Sequence, residues 1–292
     1  MNFIAILVTL ALDRGLRHLE FCRDHRLGYW YFGLLRRVKS ASAELVLLLT
    51  VLAVIIPTLV VDGIQLGLAS LSPILGFLAA VIILLLSLGP RDAFHLIHEY
   101  RAAVDNKDEL AQTRLARLLI EDAPPAGPDQ CAQAVGEALL MRVNDRLFAP
   151  LFWFVILGPS GAALYWLAKN AVCALKPKSS HEAPSDYAEV ARRIHGTLAW
   201  IPAHLLALSY GLVGSFDSTW RDLRTYYQTC EKRFFENNEA ILLCAGRAAL
   251  GGPGFEGMSR MEFLDRATTL ANRALILWLV VIGLFTLGGW IL

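Results

Sequence analysis

Arg142, Asn144, Asp145 and Arg146 crowd three charges and an amide into five residues, with Glu137 one to two helical turns earlier. They stand at the entrance of residues 147–174, an apolar run with one base, Lys169, and no acid. Charged groups at such a place are expensive against lipid, so they mark a functional site by default. Two arginines beside an amide suit a phosphate or another small anionic group, because a guanidinium makes forked contacts with its oxygens. The competing reading is plainer: Arg142 and Arg146, four apart, snorkel at the interface while Asp145 pairs with one of them.

Other candidates are sparser. His95, His98 and Glu99 share adjoining parts of one helical face, a weak metal-ligand pattern with no further Cys or His nearby. Arg192, Arg193 and His195 precede a second apolar run, and His204 sits one turn inside it, where a histidine must face protein or water or reach the surface. Asp13-Arg14 closes the first apolar run as an interfacial pair. The chain has no G-x-x-x-x-G-K-[ST] loop, no G-x-S-x-G elbow, no H-E-x-x-H and no kinase set, and these motifs imply no cofactor. Gly251, Gly252 and Gly254 surround a proline and read as a turn. Five widely spaced cysteines form no C-x-x-C and read as reduced, packed thiols.

The elements that must position these groups are membrane helices. With 55% apolar and 18% charged residues the chain is too greasy for a soluble fold, and 27 bases against 26 acids give no reason to expect nucleic acid. Residues 1–12 lack the basic start and cleavage site of a signal peptide. The expected fold is all-α: a single polytopic membrane domain over 1–292, with about five transmembrane or re-entrant segments plus amphipathic cytoplasmic helices. Its apolar segments are 3–12, 44–61, 66–89, 147–174, 198–214 and 274–292. A tight turn is expected at 62–65, and Pro202 falls in the first turn of its run. The segment 3–12 is either a tilted or re-entrant anchor or the start of a longer helix.

Residues 13–43 carry seven bases against three acids, which places them on the cytoplasmic side. Counting crossings puts helical insertions 90–146 and 216–272 there as well, provided 147–174 and 198–214 both cross. If they dip and return, Gly158-Pro159-Ser160-Gly161 is the tip of a re-entrant pair. Two helices, a stiff turn at 124–128 and a third helix are expected in 90–146. Ser259 to Glu262 is a capping-box start for the helix that runs into the last span. The bilayer is the one certain partner. Gly283 with Gly288-Gly289 permits close helix contact and leaves a homo-oligomer open.

Several stretches in order, "LLRRVKSAS", "HEYRAAVDNKDELA", "ALLMRVNDRLFAPLFW" and "LAWIPAHLLALSYGLVG", resemble the AmpE family of bacterial inner-membrane proteins, itself similar to the CobD/CbiB membrane enzymes of cobalamin assembly. A-P-L-F-W ending at Trp153 and W-I-P-A starting at Trp200 carry the most specific part of the likeness. Glu137, Asp145 and Asn170 match acidic or amide positions of the enzyme branch. Elsewhere the chain departs: Met141-Arg142 stand for a Glu-Asn pair, Ala171-Val172-Cys173 for Thr-Leu-Asp, His195-Gly196 for paired aspartates, and Ala199 and His204 for an acid and an arginine usual in AmpE.

The resemblance therefore implies a non-catalytic AmpE-type regulator in the bacterial inner membrane. It would modulate β-lactamase induction in the context of peptidoglycan recycling, alongside a cytoplasmic muropeptide amidase, by reading a small anionic ligand through Glu137, Arg142, Asn144, Asp145, Arg146, Asn170, Arg193 and His204. The alternative is a CobD/CbiB-like, ATP-dependent, amide-forming enzyme of cobalamin assembly, or a drifted relative that binds a phosphorylated metabolite.

Overall fold

The computed structural model describes residues 2–15, 26–35, 42–88, 93–120, 125, 127–177, 185–229, 237–251 and 259–289. Much of the basic stretch 13–43, residues 124 and 126 of the proline turn and residues 252–254 of the glycine turn lie outside them. Among the described residues all regular structure is helical. Three of the described helices are long and apolar enough to cross a membrane: Ala43–Leu71, Asp186–Val213 and Met261–Leu287. The chain divides into two compact units, one formed by 1–90, 149–200 and 285–292, the other by 91–148 and 201–284.

The first unit opens with α1 (Asn2–Gly15) and α2 (Arg26–Gly33). At 14 residues α1 is about 21 Å long, short of a ~30 Å hydrocarbon layer. α3 (Ala43–Leu71) runs without a break through 62–65, so the turn expected there is absent. Apolar surroundings favour helix at Gly63 and Gly67, because a helix keeps every backbone group paired where water cannot. The break falls instead at Ser72, whose Oγ accepts the Ile74 N–H at 3.3 Å and whose neighbour Pro73 opens α4 (Pro73–Ser87). Gln65 then donates from Nε2 to the Gly76 carbonyl at 2.9 Å and ties the hairpin shut.

Residues 147–174 are not one interrupted crossing helix. α8 (Ala149–Leu157) and α9 (Pro159–Leu175) meet at Gly158, whose φ of 69° suits a residue without Cβ, and Pro159 starts the return. A Cβ on Gly161 would lie 2.2 Å from the Trp153 carbonyl oxygen, and Ala149 clusters with Tyr165. Pairing of 153 with 161 and of 149 with 165 is the register of an antiparallel helix hairpin. Alanines 168, 171 and 174 of α9 pack with Phe32 of α2 and with Tyr187, Ala188 and Ala191 of α10 (Asp186–Val213). Small residues let these helices approach closely where lipid offers no hydrophobic drive.

Pro202 lies in the interior of α10, not in its first turn, since the helix begins at Asp186. Its ring removes the N–H that the Leu198 carbonyl would accept. Trp153 of α8 supplies the substitute, donating from Nε1 to Leu198 at 3.0 Å.

The second unit contains α5 (Ala93–Asp105), α6 (Glu109–Leu119) and α7 (Pro128–Val143), then a π-helical turn (Asn144–Phe148). It continues with the end of α10, α11 (Phe216–Thr229), α12 (Asn238–Ala249) and α13 (Arg260–Leu287). Lys107 at φ 55° and the Asp108 cap, which accepts the Ala111 N–H at 3.0 Å, make the polar break between α5 and α6. Ser259 Oγ accepts the Glu262 N–H at 3.1 Å at the start of α13. The core centres on Leu139, Leu140, Phe148, Tyr210 and Phe263, all almost fully buried. Tyr210 Oη donates to the Leu140 carbonyl at 3.0 Å, Trp278 Nε1 donates to Ser209 Oγ at 2.9 Å, and Phe148 meets Trp278 edge-on at 5.0 Å.

Trp153→Phe keeps the ring packing but orphans the Leu198 carbonyl, and is expected to cost about 1–3 kcal/mol of stability in detergent. In a Pro202→Ala background, where an N–H returns to that carbonyl, the same change costs much less; thermal midpoints of the four proteins check the coupling.

Candidate functional site

The π turn is where sequence chemistry and structural irregularity coincide. Pro150, in the first turn of α8, has no N–H for the Arg146 carbonyl, and the wider π turn accommodates the ring just upstream of it. The turn buries Asn144 to 1% exposure, and its Oδ1 has no hydrogen-bond partner. A buried amide oxygen left unpaired costs about 1–3 kcal/mol, which makes Asn144 a candidate for contact with a ligand. Arg142, Asp145 and Arg146 are half-buried around it and not splayed into open solvent.

Seven residues before Asn144, Glu137 is held by Gln133 Nε2 at 2.9 Å and by Arg247 of α12. Its side chain is 17% exposed and that of Arg247 46%. Arg247 is the residue that sequence reasoning missed: it is far away in the chain and sits in no motif. Close approach of α12 is made possible by Gly246, where a Cβ would come within 2.8 Å of Leu140. Cys244, one turn before Arg247, is a poor nucleophile, because burial raises its thiol pKa, Asp222 adds to the rise, and Arg247 opposes it. Cys131, Cys173 and Cys244 are not in disulfides.

The remaining candidates are placed as follows. Asn170 is buried in the first unit, its Nδ2 donating to the Trp166 carbonyl at 2.9 Å, and a Cβ on Gly28 would meet its Oδ1 at 2.9 Å. Arg193 is exposed and paired with Glu189 at 3.0 Å, which also holds Arg192. His195 contacts Tyr165 Oη through Nε2 at 3.1 Å; this histidine–tyrosine pair was outside the expected set, although two polar groups facing each other across apolar helices were its available signal. His204 stacks on Tyr227 in the second unit, with ring centroids 6.2 Å apart. His95 pairs with Glu99 at 3.2 Å while His98 is exposed, and among the described residues no three His, Cys, Asp or Glu side chains stand together as a metal site.

Comparison with known proteins bears on what such a site serves. A protein family described as "CobD/Cbib protein" matches residues 25–269. A cobalamin biosynthesis protein CobD of Chromobacterium violaceum is 30% identical over 224 residues, which are 70% of this chain and 70% of that protein. A protein of the same name from Stutzerimonas stutzeri is 31% identical over 185 residues, 63% of this chain and 59% of that one. A probable CobD of Thermococcus kodakarensis is 31% identical over 150 residues, 50% and 47% of the two chains. No solved structure matches significantly.

These relatives overturn the expectation of an AmpE-type regulator of β-lactamase induction, and with it the links to antibiotic resistance and peptidoglycan recycling. That expectation rests on missing acids at a few positions, whereas the family match runs from residue 25 to 269. One of those positions, His195, proves to be a polar group held by a polar partner.

Arg247→Leu strands Glu137 and is expected to lower stability by about 1 kcal/mol, the modest scale of a partly exposed pair. Adding Glu137→Gln should recover most of the loss, as read from thermal midpoints of single and double variants.

Proposed function

This chain belongs to the CobD/CbiB family, and we propose that it acts in cobalamin assembly as a membrane enzyme that joins a carboxylate to an amine at the expense of ATP. The observation that carries the reading is the extent of the family match, which runs from residue 25 to 269 and so takes in both compact units, the π turn and the buried Asn144. The site chemistry supports it. An unpaired amide oxygen accepts from an N–H, so Asn144 is suited to orient the incoming amine, and Arg142 and Arg146 are suited to a phosphate. In this reading the protein is a multi-pass component of the bacterial cytoplasmic membrane, and its three long apolar helices supply the crossings.

A second reading is favoured by His195-Gly196 and Met141-Arg142, which stand where the enzyme branch carries acids and amides: a relative that binds the phosphorylated metabolite without turning it over. One experiment separates the two. The chain is expressed in a bacterium that lacks its own CobD and depends on cobalamin made by itself. Restored growth supports the enzyme. No growth, and no amide product from ATP in isolated membranes, overturns it; retained binding of the phosphorylated metabolite then selects the second reading.

Asn144→Leu provides a finer check. Removing an orphaned buried oxygen should leave the thermal midpoint unchanged or raise it, while growth is lost at least tenfold. A variant that loses stability and keeps activity would assign Asn144 to the fold alone.

A further inference from the structure

α11 segregates apolar from polar residues more sharply than any other described helix, although it is not among the helices that could cross a membrane. Phe216, Trp220, Leu223 and Tyr227, spaced four, three and four apart, fall on one stripe of a 3.6-residue helix. Three of them are well exposed: Phe216 at 46%, Trp220 at 60% and Tyr227 at 51%. Thr219, on the adjoining face, is buried. The helix is held in place at its start, where the Ser215 N–H donates to the Ala249 carbonyl of α12 at 3.0 Å, and a Cβ on Gly214 would lie 2.7 Å from that same oxygen.

Between this stripe and the end of α10 lies a cavity of about 210 Å³, lined by His204, Ala207, Leu208, Gly211 and Thr219 together with the stripe itself. Its walls are almost wholly apolar. The Thr219 hydroxyl is already spent on the Ser215 carbonyl at 2.7 Å, and the His204 ring lies against Tyr227. A soluble metabolite needs several convergent polar groups to fix it, and these walls do not provide them. Leu208 belongs both to the groove wall and to a second exposed stripe, Ile201, Leu205, Leu208 and Leu212, on the outer face of a helix long and apolar enough to cross the membrane. The groove thus opens onto the surface that lipid covers.

We infer that α11 is an interfacial helix, with its aromatic stripe at the headgroup–acyl boundary, and that the groove it makes with α10 seats an acyl chain of a bilayer phospholipid. Aromatic side chains are favoured at that depth, and a helix with one apolar face lies flat there without crossing. The charges on α11 are two bases, Arg221 and Arg224, and two acids, Asp217 and Asp222, so attachment is driven by apolar burial and does not require anionic lipid. This inference is independent of the reaction proposed above.

The test uses the full-length chain in nanodiscs of neutral phosphatidylcholine carrying bromines either shallow or deep in the acyl chain. Fluorescence of the wild type minus that of Trp220→Phe isolates one tryptophan among seven. The expected result is at least twofold stronger quenching of Trp220 by shallow than by deep bromines, weak quenching by aqueous iodide, and no change when anionic lipid is added. Leu208→Phe, at a half-exposed position on the groove wall, should cut the shallow quenching by about half. Iodide quenching without bromolipid quenching would put the stripe in water, and insensitivity to both would mean that protein covers it; either overturns the inference. Shallow quenching unchanged in Leu208→Phe would overturn the groove as a lipid seat.

Discussion

The hydrogen bond from the Trp153 indole to the Leu198 carbonyl is the contact on which the first unit is built. Pro202 creates the need for it by removing a donor in the middle of a helix, where an unpaired carbonyl away from water costs several kcal/mol. Meeting that need brings α8 against α10. Because α8 turns back at Gly158, α9 is carried along, and Tyr165 arrives opposite His195. The approach is close because the surfaces are nearly bare, with Ala149, Gly161 and Ala199 at the contact. Ala199 fills a place where a longer acid would have to find a partner in the same packed cluster.

The second unit manages its irregular backbone differently. At Pro150 the missing donor is absorbed by widening the helix into a π turn, and the widened turn leaves Asn144 buried with an unsatisfied oxygen. Side-chain bonds tie the helices of this unit together: Tyr210 on Leu140, Trp278 on Ser209, Arg101 on Asp265, Arg247 on Glu137.

Some of the substitutions that set this chain apart from the enzyme branch have a place in the packing of the fold. Met141-Arg142, Ala171-Val172-Cys173 and His195-Gly196 are the positions concerned. In the structure His195 has a tyrosine partner, and Ala171 and Ala174 are part of the tight packing of α9, a requirement of the fold and no evidence about chemistry. Much of the site was nonetheless legible. The charged cluster before residue 147 stood out because charge is costly beside an apolar run, and Trp153 and Trp200-Ile201-Pro202 stood out as motifs before their physical role was visible.

Sequence by itself determined the class of fold and the positions of most helices, because the length of an apolar run and its capping residues are local properties. Hydropathy also found the entrance of the broken segment, and the Gly158-Pro159 pair announced the break. Tertiary structure decided that the break reverses the chain, that α3 continues through Gly63, that Pro202 lies within α10, and that Glu137 is joined to Arg247 across more than a hundred residues. Each of these depends on where a backbone or side-chain polar group finds its partner. In an apolar environment that partner is supplied by another helix, so no stretch of sequence read alone contains the answer.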